Sequence, residues 1–119
     1  MKNFRELQFW KKSQNLAVSI YESTKLFPPS EQFGLTNQMR RSAVSISSNI
    51  AEGSSRRTDK DFARFLEIAI GSAHELETQL EIAYRINYLS KDEFSYLEQE
   101  TLSVTKMIGK YKSSLIGKN

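Results

Sequence analysis

A chain of 119 residues holds one domain with a single core and leaves no room for a second of ordinary size. The absence of cysteine rules out disulfides, thiolate metal sites and thiol nucleophiles, and it fits a reducing cytoplasm. Lys2 and Arg5 run straight into Glu6, Gln8 and Lys11, and mean hydropathy is −0.52, so no apolar run suits a signal peptide or a span; the expectation is a cytoplasmic protein with no membrane partner.

The net charge of +3 is unevenly spread. Residues 1 to 66 carry 11 Lys and Arg against 6 Asp and Glu, residues 67 to 100 carry 2 against 8, and residues 101 to 119 carry 4 against none. Such a division steers a polyanion to one side, or joins copies basic side to acidic side; solvated helix faces are the plainer reading.

In chain order, three breaks divide the sequence: Phe27-Pro28-Pro29-Ser30, Gly53-Ser54-Ser55 and Asn87-Tyr88-Leu89-Ser90. Asn3 with Glu6, Thr58 with Asp61 and Ser90 with Glu93 have the capping-box spacing, in which the first side chain takes an orphan amide and the fourth residue reaches back. This predicts four helices near residues 4–26, 31–53, 59–87 and 91–115, with no strands, because no segment sustains a two-residue alternation. Short connections between long helices favour antiparallel neighbours, so the expected fold is all-α, an up-down-up-down four-helix bundle.

In the first helix Leu7, Trp10, Ala17, Ile20 and Tyr21 fall roughly in line, with Phe9 and Leu16 off it. The second repeats Leu35, Met39, Ala43, Ile46 and Ile50, and the fourth repeats Phe94, Leu97, Thr101, Val104, Ile108, Tyr111 and Leu115. The third has too much apolar surface for one face. Phe62, Phe65, Leu66, Ala69, Ala73, Leu76, Leu80 and Ala83 form one stripe, and Ile68, Ser72, Glu75, Gln79, Ile82 and Ile86 form another beside it. The surplus calls for another chain, with Ile68, Ile82 and Ile86 as the expected oligomer contact, or for cover by the aromatic N-terminus of Phe4, Phe9 and Trp10.

The residues for catalysis are missing. The single histidine, His74, falls on the polar side of the third helix, and Gly71 stands three residues before it, so the Glu-x-x-His pairs of di-metal bundles cannot form. No glycine-rich phosphate loop with its lysine occurs. The expectation is a protein that is not an enzyme and has no metal site or cofactor. Two polar groupings remain. Arg41, Asn49 and Glu52 on the second helix and Ser72 and Glu75 on the third suggest a buried polar network, in which Arg41, Asn49 or another chain would partner the Glu75 carboxylate. Arg56, Arg57, Lys60 and Arg64 cluster at the second break, with outward-facing Arg40 as an extension and Lys11 and Lys12 adding charge. Such a patch neutralises phosphates without reading sequence, although Asp59 and Asp61 dilute it.

The run Phe33-Gly34-Leu35-Thr36-Asn37-Gln38-Met39-Arg40-Arg41-Ser42-Ala43-Val44-Ser45-Ile46, followed by Asn49-Ile50-Ala51-Glu52-Gly53, closely resembles the signature of the four-helix bundle proteins encoded in intervening sequences of bacterial 23S rRNA genes. Phe65 to Ser72, Glu75 to Leu80, Leu7 to Trp10, Tyr21 and Phe27-Pro28 extend the resemblance over residues 4 to 90, beyond which it is only helical. The resemblance implies a bundle assembling as a five-membered ring. It also implies a relation to accessory proteins of diversity-generating retroelements, which bind nucleic acid and a reverse transcriptase. It transfers no catalytic residue. Two functions follow as expectations: a ring binding rRNA or a mobile element's RNA or DNA, and an oligomeric adaptor for another protein such as a reverse transcriptase.

Overall fold

Helix starts in this chain are fixed by side chains that take orphan amides, and the places where they do so correct two of the expected boundaries. The computed structural model describes residues 3–117. Asn3 Oδ1 accepts from the Arg5 amide at 3.1 Å, but it caps only a 3-10 turn at Phe4–Glu6; Leu7 is extended, and α1 runs over Gln8–Thr24. A second 3-10 turn at Pro29–Glu31 precedes α2, which runs over Leu35–Ser54 rather than starting near residue 31. Gly34, at φ −111° and ψ −116°, leaves the helical region and separates this turn from α2. Glu31 Oε1 then accepts from the Leu35 amide at 3.0 Å, doing the work of a cap where Gly34 has no side chain to offer.

The other two starts match the spacing. Thr58 Oγ1 accepts from the Asp61 amide at 3.1 Å and opens α3, Asp59–Arg85. Ser90 and Glu93 form the reciprocal capping box of α4, Lys91–Ile116, each bond at 3.1 Å. Helix α3 stops at Asn87, whose φ of 67° lies in the left-handed region. The Tyr88 amide reaches back to the Ala83 carbonyl at 2.9 Å and the Asn87 amide to Tyr84 at 3.0 Å, the hydrogen-bond pattern of a Schellman cap with asparagine in the place glycine usually takes.

The four helices form an antiparallel bundle measuring 45 × 23 × 20 Å, each packing on its sequence neighbours and α1 closing onto α4. Aromatic contacts fix the pairing of ends: Phe9 and Phe62 both meet Tyr111, with ring centroids 5.1 and 5.7 Å away, and Phe27 meets Tyr88 at 5.1 Å. Among the described residues there is no strand, and no helix is long and apolar enough to cross a membrane.

The core follows the predicted stripes of α2 and α4: Met39, Ala43, Ile46, Ile50, Leu97, Thr101, Val104 and Ile108 are buried. In α1 the buried line is Phe9, Ser13, Leu16, Ala17, Ile20 and Thr24, so Phe9 and Leu16 belong to the core while Tyr21 is exposed. Small residues let α2 and α3 approach closely. A Cβ built on Gly53 would lie 2.7 Å from Phe65 Cβ and 2.9 Å from Phe62 Cδ1, a space only glycine leaves open.

Helix α3 divides its two stripes with two exceptions: Phe65 of the first is only partly buried, and Ser72 of the second is buried. Phe62, Leu66, Ala69, Ala73, Leu76, Leu80 and Ala83 are buried, whereas Ile68, Ile82 and Ile86 are 44, 45 and 45% exposed. The N-terminal aromatics do not cover them. Phe4 packs edge-on against Trp10 at 5.0 Å, and Phe9 is spent on Tyr111.

Candidate nucleic-acid interface

The antiparallel order brings the start of α1, the end of α2, the start of α3 and the end of α4 to one end of the bundle. The helix halves nearest that end, residues 3–15, 45–71 and 104–117, carry ten Lys and Arg against five Asp and Glu. The opposite halves, residues 16–44 and 72–103, carry five against nine. The uneven charge of the sequence thus becomes a basic end and an acidic end, the arrangement that steers a polyanion.

Within the basic end, Arg56, Arg57, Lys60 and Arg64 lie together around the α2–α3 turn, but they are not equivalent. Arg56 is half-buried and forms an ion pair with Glu52 one helical turn earlier, and its guanidinium carbon lies 4.7 Å from the centroid of the Phe65 ring. Arg64 pairs loosely with Asp61 at 3.8 Å, and its guanidinium carbon also lies 4.7 Å from that ring. The Arg56 Nε is shielded from solvent and has no acceptor. Arg57 and Lys60 are exposed, and no carboxylate pairs with either among the described residues. Sequence reasoning places Phe65 in the core stripe, at whose edge it falls, and so does not connect its ring with the patch. It also passed over Lys112, which with Lys60 and Arg64 lines a hollow of about 260 Å³ and pairs with Glu67 at 3.0 Å. The signal was the acid-free tail of α4, which the antiparallel order returns to the start of α3.

Arg40 is no part of this end. It stands one turn into α2, some 24 Å along the helix from Arg56 at about 1.5 Å per residue. Its Nε donates to Thr24 Oγ1 at 2.9 Å, and its guanidinium lies 4.6 Å from the Tyr21 ring centroid. It fastens α2 to α1 instead of facing outward, because a long side chain near a helix seam gains more from a carbonyl, a hydroxyl and a ring than from solvent. Lys12 is likewise engaged, with Glu100 at 3.0 Å, whereas Lys11 is exposed.

The expected buried polar network is smaller than the sequence suggested. Ser45 and Ser72 hydroxyls meet at 2.8 Å across the α2–α3 seam, and Asn49 Nδ2 donates to the Ser45 carbonyl at 2.9 Å and to its hydroxyl at 3.0 Å. Arg41, Glu52 and Glu75 are exposed in the single chain, and neither Arg41 nor Asn49 bonds Glu75. Shared alignment along a helix face placed them together. At the seam only the short serine and asparagine side chains fit between the backbones, and the longer charged ones lean out to water.

Arg41 and Glu75 instead flank an open groove of about 990 Å³ between α2 and α3, together with Gln38, Val44, Gln79 and Ile82. Gln79 Oε1 is shielded there without a hydrogen-bond donor. Beside it Gly71 faces open space, and a Cβ built on it would meet nothing within 4 Å. His74 is exposed, as its place on the polar side required. At the acidic end Tyr88 donates to Glu31 Oε2 at 3.0 Å. That hydrogen bond, then burial and the carboxylate's negative charge, hold the Tyr88 phenol above its ordinary pKa.

Comparison with known proteins agrees with this architecture. No curated protein matches the sequence. The bundle superposes with a TM-score of 0.79, at 26% identity and over 87% of this chain and 97% of the other, on a crystal structure from Bacteroides thetaiotaomicron described as a protein of unknown function from the S23 ribosomal protein family. The model of the 23S rRNA-intervening sequence proteins matches residues 5–110, which carries the likeness through most of α4 and well past residue 90. On that match the chain belongs to the 23S rRNA-intervening sequence protein family.

Proposed function

We propose that this protein is a non-enzymatic nucleic-acid-binding bundle, acting on rRNA or on the RNA or DNA of a mobile element, that works as a closed homo-oligomer of five. The observation that carries this reading is the basic end, where Arg57 and Lys60 are exposed cations without carboxylate partners beside Arg56, Arg64 and the cationic tail of α4. A patch of this size is weak in one copy. Repeated around a ring it gains by avidity, since every further contact on the same strand is intramolecular. The outer stripe of α3, with Ile68, Ile82 and Ile86 half uncovered, supports the assembly half of the proposal.

Two measurements test it. Light scattering on the full chain should give several times 13.7 kDa at micromolar concentration, and a monomer at all concentrations would end the ring. Binding to rRNA fragments and DNA should fall with salt at a slope of about −0.9 per phosphate neutralised on duplex DNA, or about −0.7 on single strands. Changing Arg57 and Lys60 together to alanine should weaken binding and flatten that slope. Absence of binding at low salt would refute the nucleic-acid reading.

A second reading, a protein adaptor whose partner is an enzyme such as a reverse transcriptase, is favoured by one observation. The groove between α2 and α3 joins an unpartnered Gln79 acceptor to exposed Val44 and Ile82, a mixture suited to another polypeptide.

A further inference from the structure

We propose that Arg56, Phe65 and Arg64 form a base-stacking platform, so that the nucleic acid taken at the basic end is single-stranded. This rests on the nucleic-acid reading above and names its substrate class. Two guanidinium carbons lie 4.7 Å from the centroid of one ring, which gathers three planar π-systems at this end of the bundle. A guanidinium is planar, delocalised and weakly hydrated, and nucleobases stack on such planes as they do on aromatic rings.

The ion pairs make the same division. Glu52 offsets the charge of Arg56 and restrains its side chain, and Asp61 loosely offsets that of Arg64, which weakens both as phosphate ligands. The ring and Glu52 hold the partly buried Arg56 guanidinium. The unpaired cations stand next to this pair: Arg57 follows Arg56 directly, and Lys60 lies one helical turn before Arg64. Each stacking plane therefore has a phosphate-binding charge within reach, the alternation that one nucleotide after another presents along a strand. In a duplex the base faces are already stacked on one another and only phosphates and edges are offered. The Arg56–Phe65–Arg64 cluster can act only on unpaired bases.

The test uses the full chain with fluorescently labelled single-stranded and duplex oligonucleotides of equal length, and with 2-aminopurine in the single strand as a reporter of stacking. The variants are the double change Arg56→Lys and Arg64→Lys, which keeps both charges and removes both planes, and Phe65→Leu, which removes the ring beneath them. Arg85→Ala at the opposite end serves as control, and circular dichroism confirms folding of each. The wild type should bind the single strand more tightly than the duplex and quench 2-aminopurine. In the double-lysine variant single-strand affinity should fall between about 5-fold and about 150-fold more than duplex affinity, the range one stacked base corresponds to, with the quenching lost. If the double-lysine variant keeps its single-strand preference and quenching, or loses both affinities equally, the platform is refuted while the nucleic-acid reading stands. If the wild type binds neither oligonucleotide, both fall. Should Phe65→Leu unfold the chain, the double-lysine result alone decides.

Discussion

Two faces of α3 carry large apolar residues and meet different fates: one is apolar at all eight of its positions, the other at Ile68, Ile82 and Ile86 among six. On one face Leu66, Ala69, Ala73, Leu76 and Leu80 are fully buried; on the other Ile68, Ile82 and Ile86 stay half uncovered, with Glu75 between them and bare Gly71 nearby. Helical periodicity locates both stripes equally well. Burial inside the chain goes to the stripe that is apolar throughout and has the small residues Ala69 and Ala73, and Ile68, Ile82 and Ile86 stay half uncovered in the single chain. The lesson is that helical periodicity places an apolar residue on a face without saying whether the chain itself covers that face.

The sharpest way to break this contrast is to truncate one residue on each face. Leu76→Ala should cost about 2 to 5 kcal/mol of stability in a denaturant melt, by lost burial and the cavity it leaves. Ile82→Asp should leave helicity and the monomer's melting nearly intact while dissociating the proposed ring, read by light scattering. If both variants melt alike, the outer stripe is core after all.

A somewhat smaller effect is expected where α2 meets the inner face. Gly53→Ala sets a methyl group 2.7 Å from Phe65 Cβ and should destabilise by about 1 to 3 kcal/mol, the usual range for overpacking. It should also shift the ring that Arg56 and Arg64 share, so any single-strand preference should fall with it. Unchanged stability would mean that α2 and α3 can part at no cost.

Glu75 and Glu81 sharpen the comparison further, since both are exposed carboxylates of α3 but only Glu75 lies among the outer-stripe residues. In the dissociated chain Glu75→Ala and Glu81→Ala should each change stability by less than about 0.5 kcal/mol. If the proposed ring forms, Glu75→Ala alone should alter the melting temperature at micromolar concentration, because a second copy would then surround that carboxylate. Equal effects at every concentration would remove Glu75 from the contact.

The smallest effect belongs to the acidic end. The Tyr88 phenol is held above its ordinary pKa, so the stability it lends is fully present below the pH at which an unfolded tyrosine ionises. That stability is lost as pH rises through the higher folded value. Alkaline melts should therefore show a slight decline above about pH 10 that Tyr88→Phe abolishes, and an ultraviolet titration of that variant should lack the phenol with the raised pKa.

Most of the bundle was legible in the sequence, and the exceptions have physical causes. Thr58 and Ser90 were readable as caps because capping is local, needing only a hydroxyl and an amide two or three residues on. The core stripes of α2 and α4 were readable because their period is the helix's own. Asn3 failed as an α-helix cap because Leu7 adopts an extended conformation four residues later, and α2 started late because Gly34 leaves the helical region. Of the candidate interface, the clustering of Arg56, Arg57, Lys60 and Arg64 is a matter of chain proximity and was visible from sequence alone. Tertiary structure decided the rest: it took Arg40 away to Thr24 and Tyr21, brought Lys112 in from α4, turned Glu75 and Arg41 out to solvent, and set two guanidiniums against Phe65. Long charged side chains reach across several residues and several partners compete for them. Their position along a helix limits that choice, and only the packed neighbours make it.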